Sequence, residues 1–414
     1  MAREPTGVTP QDPSGPHALA ALVARARALD AADPLRAVRD RFVLDDDVVY
    51  LDGNSLGALP RAVPGRVAEV IAEEWGRLRI RGWTEAGWDT APERIGDRLG
   101  PLLGAAPGQL VVGDSTSVNL FKVLVGAVRL AAPERDEILL DGSTFPTDRY
   151  VAASAARMTG RVLRVLPPAE IAGAAGPRTA AALVNHVDYR TGALADLPGI
   201  TAAVREVGGL SVWDLCHSAG ALPVELDRNG VDFAVGCGYK YLNGGPGAPA
   251  FCYLRAERLD RFDSPLPGWW SHRDPFAMAD EHLPHPTVRR ARVGTPDVLS
   301  MLAFEAALDV WDGVEIAAVR AKSLALTDFF LTCVGALVPE GALSSLTPVE
   351  HARRGSQIAL RHVEARRLTA ALADRGVVGD FRPPDVLRLG FTPLYTGFAE
   401  VARAAAALAE EVAR

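Results

Sequence analysis

A chain of 414 residues is too long for one small core, and its 48% hydrophobic content can fill a large domain plus a smaller one. With 44 basic against 51 acidic residues, a net charge of −7 and no Lys/Arg run able to track phosphates, nucleic acid is excluded as a partner, although small anions are not. Four dispersed cysteines (Cys216, Cys237, Cys252, Cys333) show neither metal-pair spacing nor a disulfide framework, and no apolar run reaches membrane-spanning length, which predicts a cytoplasmic protein without metal or membrane contact.

In chain order, residues 1–16 are rich in Pro, Gly, Thr and Asp, lack the apolar core of a secretory signal, and read as a disordered tail. An Ala/Arg-rich helix is expected over Ala18 to Arg41, a structured loop at Leu51-Asp52-Gly53-Asn54-Ser55-Leu56-Gly57, and a helix over Ala62 to Arg79. Apolar, often β-branched runs then alternate with helical stretches: Leu110-Val112, Glu137-Leu140, Val162-Val165, Ala181-Val187, Leu210-Trp213, Phe233-Val235 and Ala250-Leu254. That alternation predicts an α/β fold, a mostly parallel sheet covered by helices on both faces. Past Pro296 the pattern predicts a long helix over Leu302 to Phe330, a strand Gln357-His362, a helix Glu364 to Arg375, a Pro-interrupted strand pair over Val377-Phe391 and a terminal amphipathic helix from Phe398 to Arg414. This makes a smaller α+β domain over 297–414, a large domain over 61–296, and an N-terminal segment over 17–60 associated with the small domain.

The chemistry concentrates in two stretches. Val212-Trp213-Asp214 ends a strand, and Gly236-Cys237-Gly238-Tyr239-Lys240 carries a lysine just past the next one, 26 positions later. Both side chains can converge at the carboxyl edge of the sheet, where α/β folds bind ligands. A lysine amine that forms an imine and an acid that keeps a pyridine nitrogen protonated are what pyridoxal 5'-phosphate (PLP) requires. At roughly 3 Å and an effective dielectric near 20 such an acid gains about 5 kcal/mol before desolvation. A lysine taken at random is a solvent-facing side chain, and Asp214 alone could be a helix cap; the glycines around Lys240 argue for close approach of something bulky. Ser115-Thr116-Ser117 ahead of an apolar-periodic helix suits a phosphate dianion, or a simple cap. Arg388, flanked by Leu387 and Leu389, asks for an anion, either an amino-acid carboxylate or an interdomain partner.

The Asn54-Ser55-Leu56-Gly57 loop, His217-Ser218-Ala219-Gly220 and Tyr239-Lys240-Tyr241-Leu242-Asn243-Gly244-Gly245-Pro246-Gly247 together resemble the kynureninase family, with a likeness over nearly the whole chain. The resemblance implies a fold-type I PLP-dependent enzyme, and hydrolytic Cβ–Cγ cleavage of L-kynurenine or its 3-hydroxy derivative in tryptophan catabolism. Lys240 is then the Schiff-base lysine and Tyr239 a proton donor or relay. Thr116, Ser117, Tyr239, Trp269 and Thr295 hold the cofactor phosphate. Phe145 stacks on its ring, while Asp148, Asp214 and His217 serve its polar edge. Arg388 takes the substrate carboxylate, and Asn54, His272 and Trp270 shape the aryl pocket, in a homodimer whose subunits share active sites. The rivals are a cysteine desulfurase-like lyase or epimerase, for which Cys333 lies in too apolar a stretch, and a non-catalytic protein on a degenerate PLP fold.

Overall fold

The computed structural model describes residues 16–414, so the tail expected over 1–16 lies outside the described residues except for Pro16. Seven strands form the large sheet: β1 (Leu110–Val112), β2 (Glu137–Asp141), β3 (Val162–Leu166), β4 (Thr179–Asn185), β5 (Leu210–Asp214), β6 (Phe233–Cys237) and β7 (Ala250–Leu254). Their order is β1-β7-β6-β5-β4-β2-β3, parallel throughout except that β7 runs antiparallel to β6 and to β1. Strands β4, β5 and β6 are buried along their whole length, which is why they read as continuous apolar runs rather than alternating ones. One consequence positions the site: Asp141, Asn185 and Asp214 are the last residues of three neighbouring parallel strands, and all three are buried.

A second sheet, antiparallel, has the order β8-β9-β11-β10, with β8 Ser344–Ser345, β9 Gln357–Arg361, β10 Asp380–Arg382 and β11 Val386–Gly390. The C-terminal helix Phe398–Val412 buries its apolar face in the same core as the helix Ile316–Leu337. The small-domain core also takes Leu22, Ala26, Val49 and Leu51, in keeping with a role for the N-terminal segment there, whereas Leu35, Val38 and Phe42 pack into the large core. Met301, Leu302, Phe304, Trp311 and Val319 belong to the large core too, so that core runs past the boundary expected at 296.

Two expected helices are broken. The first ends at Ala32 and resumes as a 3-10 turn over Arg36–Arg41, because Pro34 disfavours helical geometry at Asp33. The helix expected over Leu302 to Phe330 is three pieces, Val298–Ala307, a 3-10 turn Leu308–Trp311 and Ile316–Leu337, divided at Gly313, whose φ of 72° leaves the helical region. The helix begun at Ala62 widens to a π-helix over Val70–Leu78.

Candidate active site

Asp214, at the end of β5, is buried and its Oδ1 accepts the Cys216 backbone N–H at 2.7 Å. Asp148 reaches it from the helix Pro146–Thr159. Burial, then the charge of Asp214, raises the Asp148 pKa well above the carboxylate range, and the Thr144 hydroxyl donates to Asp148 Oδ2 at 2.6 Å. Asp148 and Asp214 thus form a carboxyl pair at the strand edge in which Asp148 holds its proton more tightly than an ordinary carboxylate.

Lys240 Nζ lies 3.3 Å from His217 Nε2. Burial, then the charge of Lys240, depresses the His217 pKa well below its usual value, so the ring is neutral. If the ammonium donates to Nε2, the ring proton sits on Nδ1, a buried atom without a partner. The chain has only three lysines, a fact that the sequence reading passed over. Lys122 is buried against Asp114 at 2.6 Å and the Ala291 carbonyl at 2.7 Å, and Lys322 against Asp33 at 2.7 Å. Lys240 alone is free to bond covalently.

Beside it, a cleft of ≈ 510 Å³ is lined by Thr116, Ser117, Tyr239, Pro246, Gly247 and Thr295, among others. Ser115 is the helix cap, accepting the Val118 N–H at 3.4 Å, which leaves Thr116 and Ser117 in the first helical turn with hydroxyls and N–H groups toward the cleft. Burial raises the pKa of Tyr239, which stays a phenol. The crowded glycines near Lys240 answer to the protein rather than to a ligand. A Cβ on Gly238 would come 2.6 Å from the Pro249 carbonyl oxygen and 2.9 Å from Phe304, and one on Gly236 would meet the Phe251 ring. The inference of a bulky ligand from those glycines is corrected accordingly.

Phe145 is 39% exposed and its ring makes a T-shaped contact with Tyr189, centroids 5.1 Å apart. Trp269, 38% exposed, is absent from the walls of the cleft and joins Trp83, Trp270 and Phe276 in an aromatic cluster. Trp270 belongs to that cluster, with its N–H on Asp89 at 2.9 Å and Arg292 over its ring at 4.0 Å. His272 has its contacts, Asp274, His282 and Pro284, within its own loop, and its Nε2 is buried without a partner.

The Asn54 loop does meet the lysine loop, since Gly57 N–H donates to the Tyr239 carbonyl at 2.8 Å. Asn54 itself is buried, with Gln357 at 3.3 Å. Arg388 is 1% exposed and its anion is Asp380, the residue opposite it on β10: Nε to Oδ1 at 2.9 Å and Nη2 to Oδ2 at 2.5 Å. Its fork also donates to Ser55 Oγ at 2.9 Å and to the Tyr189 carbonyl at 2.6 Å, so it stands where the large domain, the Asn54 loop and the small domain meet. Asn185 was missed from the sequence. It pairs in register with Asp214, and its Nδ2 is buried with no partner; a polar residue closing an apolar run was the available signal.

An imine-forming amine, a carboxyl pair at a strand edge, two unsatisfied buried donors (His217 Nδ1, Asn185 Nδ2) and a hydroxyl-lined helix N-terminus together fit PLP. Residues 319–408 match the kynureninase C-terminal domain family. The chain is 50% identical over 393 residues to the kynureninase of Deinococcus radiodurans, covering 94% of this chain and 95% of that one. It is 47% identical over 382 residues to the kynureninase of Burkholderia pseudomallei, covering 91% and 92%. Among solved structures, a cysteine desulfurase from Escherichia coli aligns with a TM-score of 0.76 at 19% identity, over 92% of this chain and 98% of that one. A lyase with glycine covalently linked to its PLP cofactor aligns at 0.77 and 18%, over 90% and 99%. At those identities the two structures speak for the fold alone.

Proposed function

The chain belongs to the kynureninase family, and from that premise we propose how its residues divide the work of a PLP-dependent hydrolase that cleaves the Cβ–Cγ bond of L-kynurenine or its 3-hydroxy derivative to an anthranilate and L-alanine. When bound, the cofactor supplies an electron-accepting ring conjugated to the substrate α-carbon. Lys240 would hold it through an imine, and its amine, when free, would move the substrate α-proton, with neutral His217 as its hydrogen-bond acceptor. The Asp148–Asp214 pair would keep a proton on the pyridine nitrogen, and Asn185 and His217, whose Nδ2 and Nδ1 are buried without partners, would hold the polar edge of the ring. Thr116, Ser117, Tyr239 and Thr295 would hold the phosphate, and Phe145 would cover the ring. Tyr239, held protonated, also serves as a proton donor as the γ-carbonyl takes up water. Arg388, oriented by Asp380, receives the α-carboxylate beside Asn54.

The enzyme acts as a homodimer. Trp269 and His272, turned away from their own Lys240, serve the partner's site, and Trp75, Ile80, Phe276 and Met278 are the exposed apolar residues that a second copy covers. Free, buried thiols suit the cytoplasm. A desulfurase is disfavoured because all four cysteines are buried, and Cys333 has its pKa pushed up to about 11 by burial.

The observation that carries this reading is that Lys240 is the one lysine not spent on a buried ion pair. The test is to mix PLP-loaded protein with L-kynurenine and with 3-hydroxy-L-kynurenine and follow the fluorescence of the aryl product. Turnover of either, lost in Lys240→Ala, is expected; turnover of neither, or multiple turnovers by the variant, would overturn the assignment.

A further inference from the structure

The N-terminal ends of β2, β4, β5 and β6 lie at the sheet edge opposite Asp214, and there a cleft of ≈ 330 Å³ is lined by Arg135, Arg205, Arg258, Arg261 and Gly208, among others. Many arginines of this acidic chain are matched by carboxylates: Arg178 by Asp136 and Glu137, Arg129 by Asp263, Arg292 by Asp89 and Glu93. Those in the cleft are matched differently. Arg135 donates to the carbonyls of Pro177 at 3.1 Å and Thr179 at 3.2 Å, and Arg205 to that of Gly230 at 2.9 Å. Neutral acceptors of this kind aim a guanidinium without cancelling its charge. The Arg261 side chain has no hydrogen bond or ion pair among the described residues; only Arg258 meets an acid, Asp232, at 2.9 Å.

Two of the carboxylates nearby are already used. Asp232 is fully buried and also takes the Ser211 N–H and hydroxyl, and Glu257 is bound by Arg255 at 2.7 Å and 3.2 Å. Gly208 has φ 77°, and a Cβ there would come 2.7 Å from Arg135 Nη2, so glycine keeps the floor of the cleft clear. Four arginines lining one concavity, three of them held by hydrogen bonds and only one of them paired with an acid, create a local field opposite to that of the whole molecule.

We propose that this cleft is an anion site, separate from the cofactor phosphate site, for a small ligand with closely spaced phosphoryl groups. Two or more acidic groups match the number and spread of the forks better than one. The test titrates PLP-loaded enzyme with pyrophosphate and, separately, with ADP, in a calorimeter at constant ionic strength; the two arms distinguish a bare diphosphate from a nucleotide. Arg261→Glu deletes no partner interaction, so it tests charge without endangering the fold, and Arg205→Gln is the second variant. Saturable binding of either probe, about tenfold weaker in each variant, with kcat/KM for kynurenine unchanged in ligand-free buffer, is expected. Absence of saturable binding to the unaltered enzyme, or affinity in both variants undiminished from that of the unaltered enzyme, would overturn the site.

Discussion

Arg388 is held on one side by Asp380, which also pairs with Arg382 at 2.6 Å, while Asp52 lies within electrostatic reach of all three. Burial, opposed by the Ser55 hydrogen bond and the Arg388 and Arg382 charges and aided by the Asp380 charge, pushes the Asp52 pKa up to about 6. In the window between the ordinary carboxylate value and about 6 the folded chain keeps a proton that the unfolded chain has lost, so Asp52 makes stability fall as pH rises through that window. Asp52→Asn removes that slope, and thermal melts from pH 4 to 8 should show the variant gaining on the parent up to about pH 6 and holding its lead above it. Arg388→Ala should raise KM for kynurenine by the equivalent of about 2–5 kcal/mol, and an unchanged KM would take Arg388 out of the site. Asp380→Asn leaves the buried guanidinium short of its anion; a KM rise larger than the kcat loss, recovered in Asp380→Glu, is the expected pattern in steady-state kinetics. That Arg388 needs an anion was legible from its leucine neighbours. The identity of that anion was not, because an Asp380–Arg388 pair depends on the register of two antiparallel strands.

Gly57 joins two of the elements on which the site is built. Its N–H bonds the Tyr239 carbonyl, and a Cβ there would come 2.7 Å from Asn243 Cα, with the Lys240 carbonyl in its path as well. Gly57→Ala should cost about 1–3 kcal/mol of stability by overpacking and weaken PLP retention together, checked by melting and by cofactor loss on dialysis. Stability lost with full cofactor retention would show that the two loops are not coupled. The strands of the large sheet were legible from their alternation with helices, since a buried parallel strand must be apolar throughout. Helix lengths were less so. Pro34 and Gly313 are both visible in the text, but only the folded chain shows that the pieces either side of Pro34 enter different cores and that Gly313 takes a φ of 72°.

In the molecule as a whole, strand ends of the large sheet, a helix N-terminus and two loops converge on Lys240, while the small domain brings Arg388 from the far side. The apolar residues left outside include Trp75 at 59% and Ile80 at 77% exposure. A stable homodimer would cover them, and Trp75→Glu should shift sedimentation from dimer toward monomer; an unaltered chain that sediments as a monomer at all concentrations would contradict the shared-site arrangement. Separate cores were foreseeable from length and composition, whereas the surface that a partner covers was not, because exposure is set only once the chain is folded. The central claim is that one amine, Lys240, faces the cofactor across from the Asp148–Asp214 pair. Borohydride reduction of the PLP-loaded protein, followed by peptide mass mapping, tests it most directly: the phosphopyridoxyl group is predicted on Lys240, and its appearance on Lys122 or Lys322, or on no lysine at all, would contradict the account.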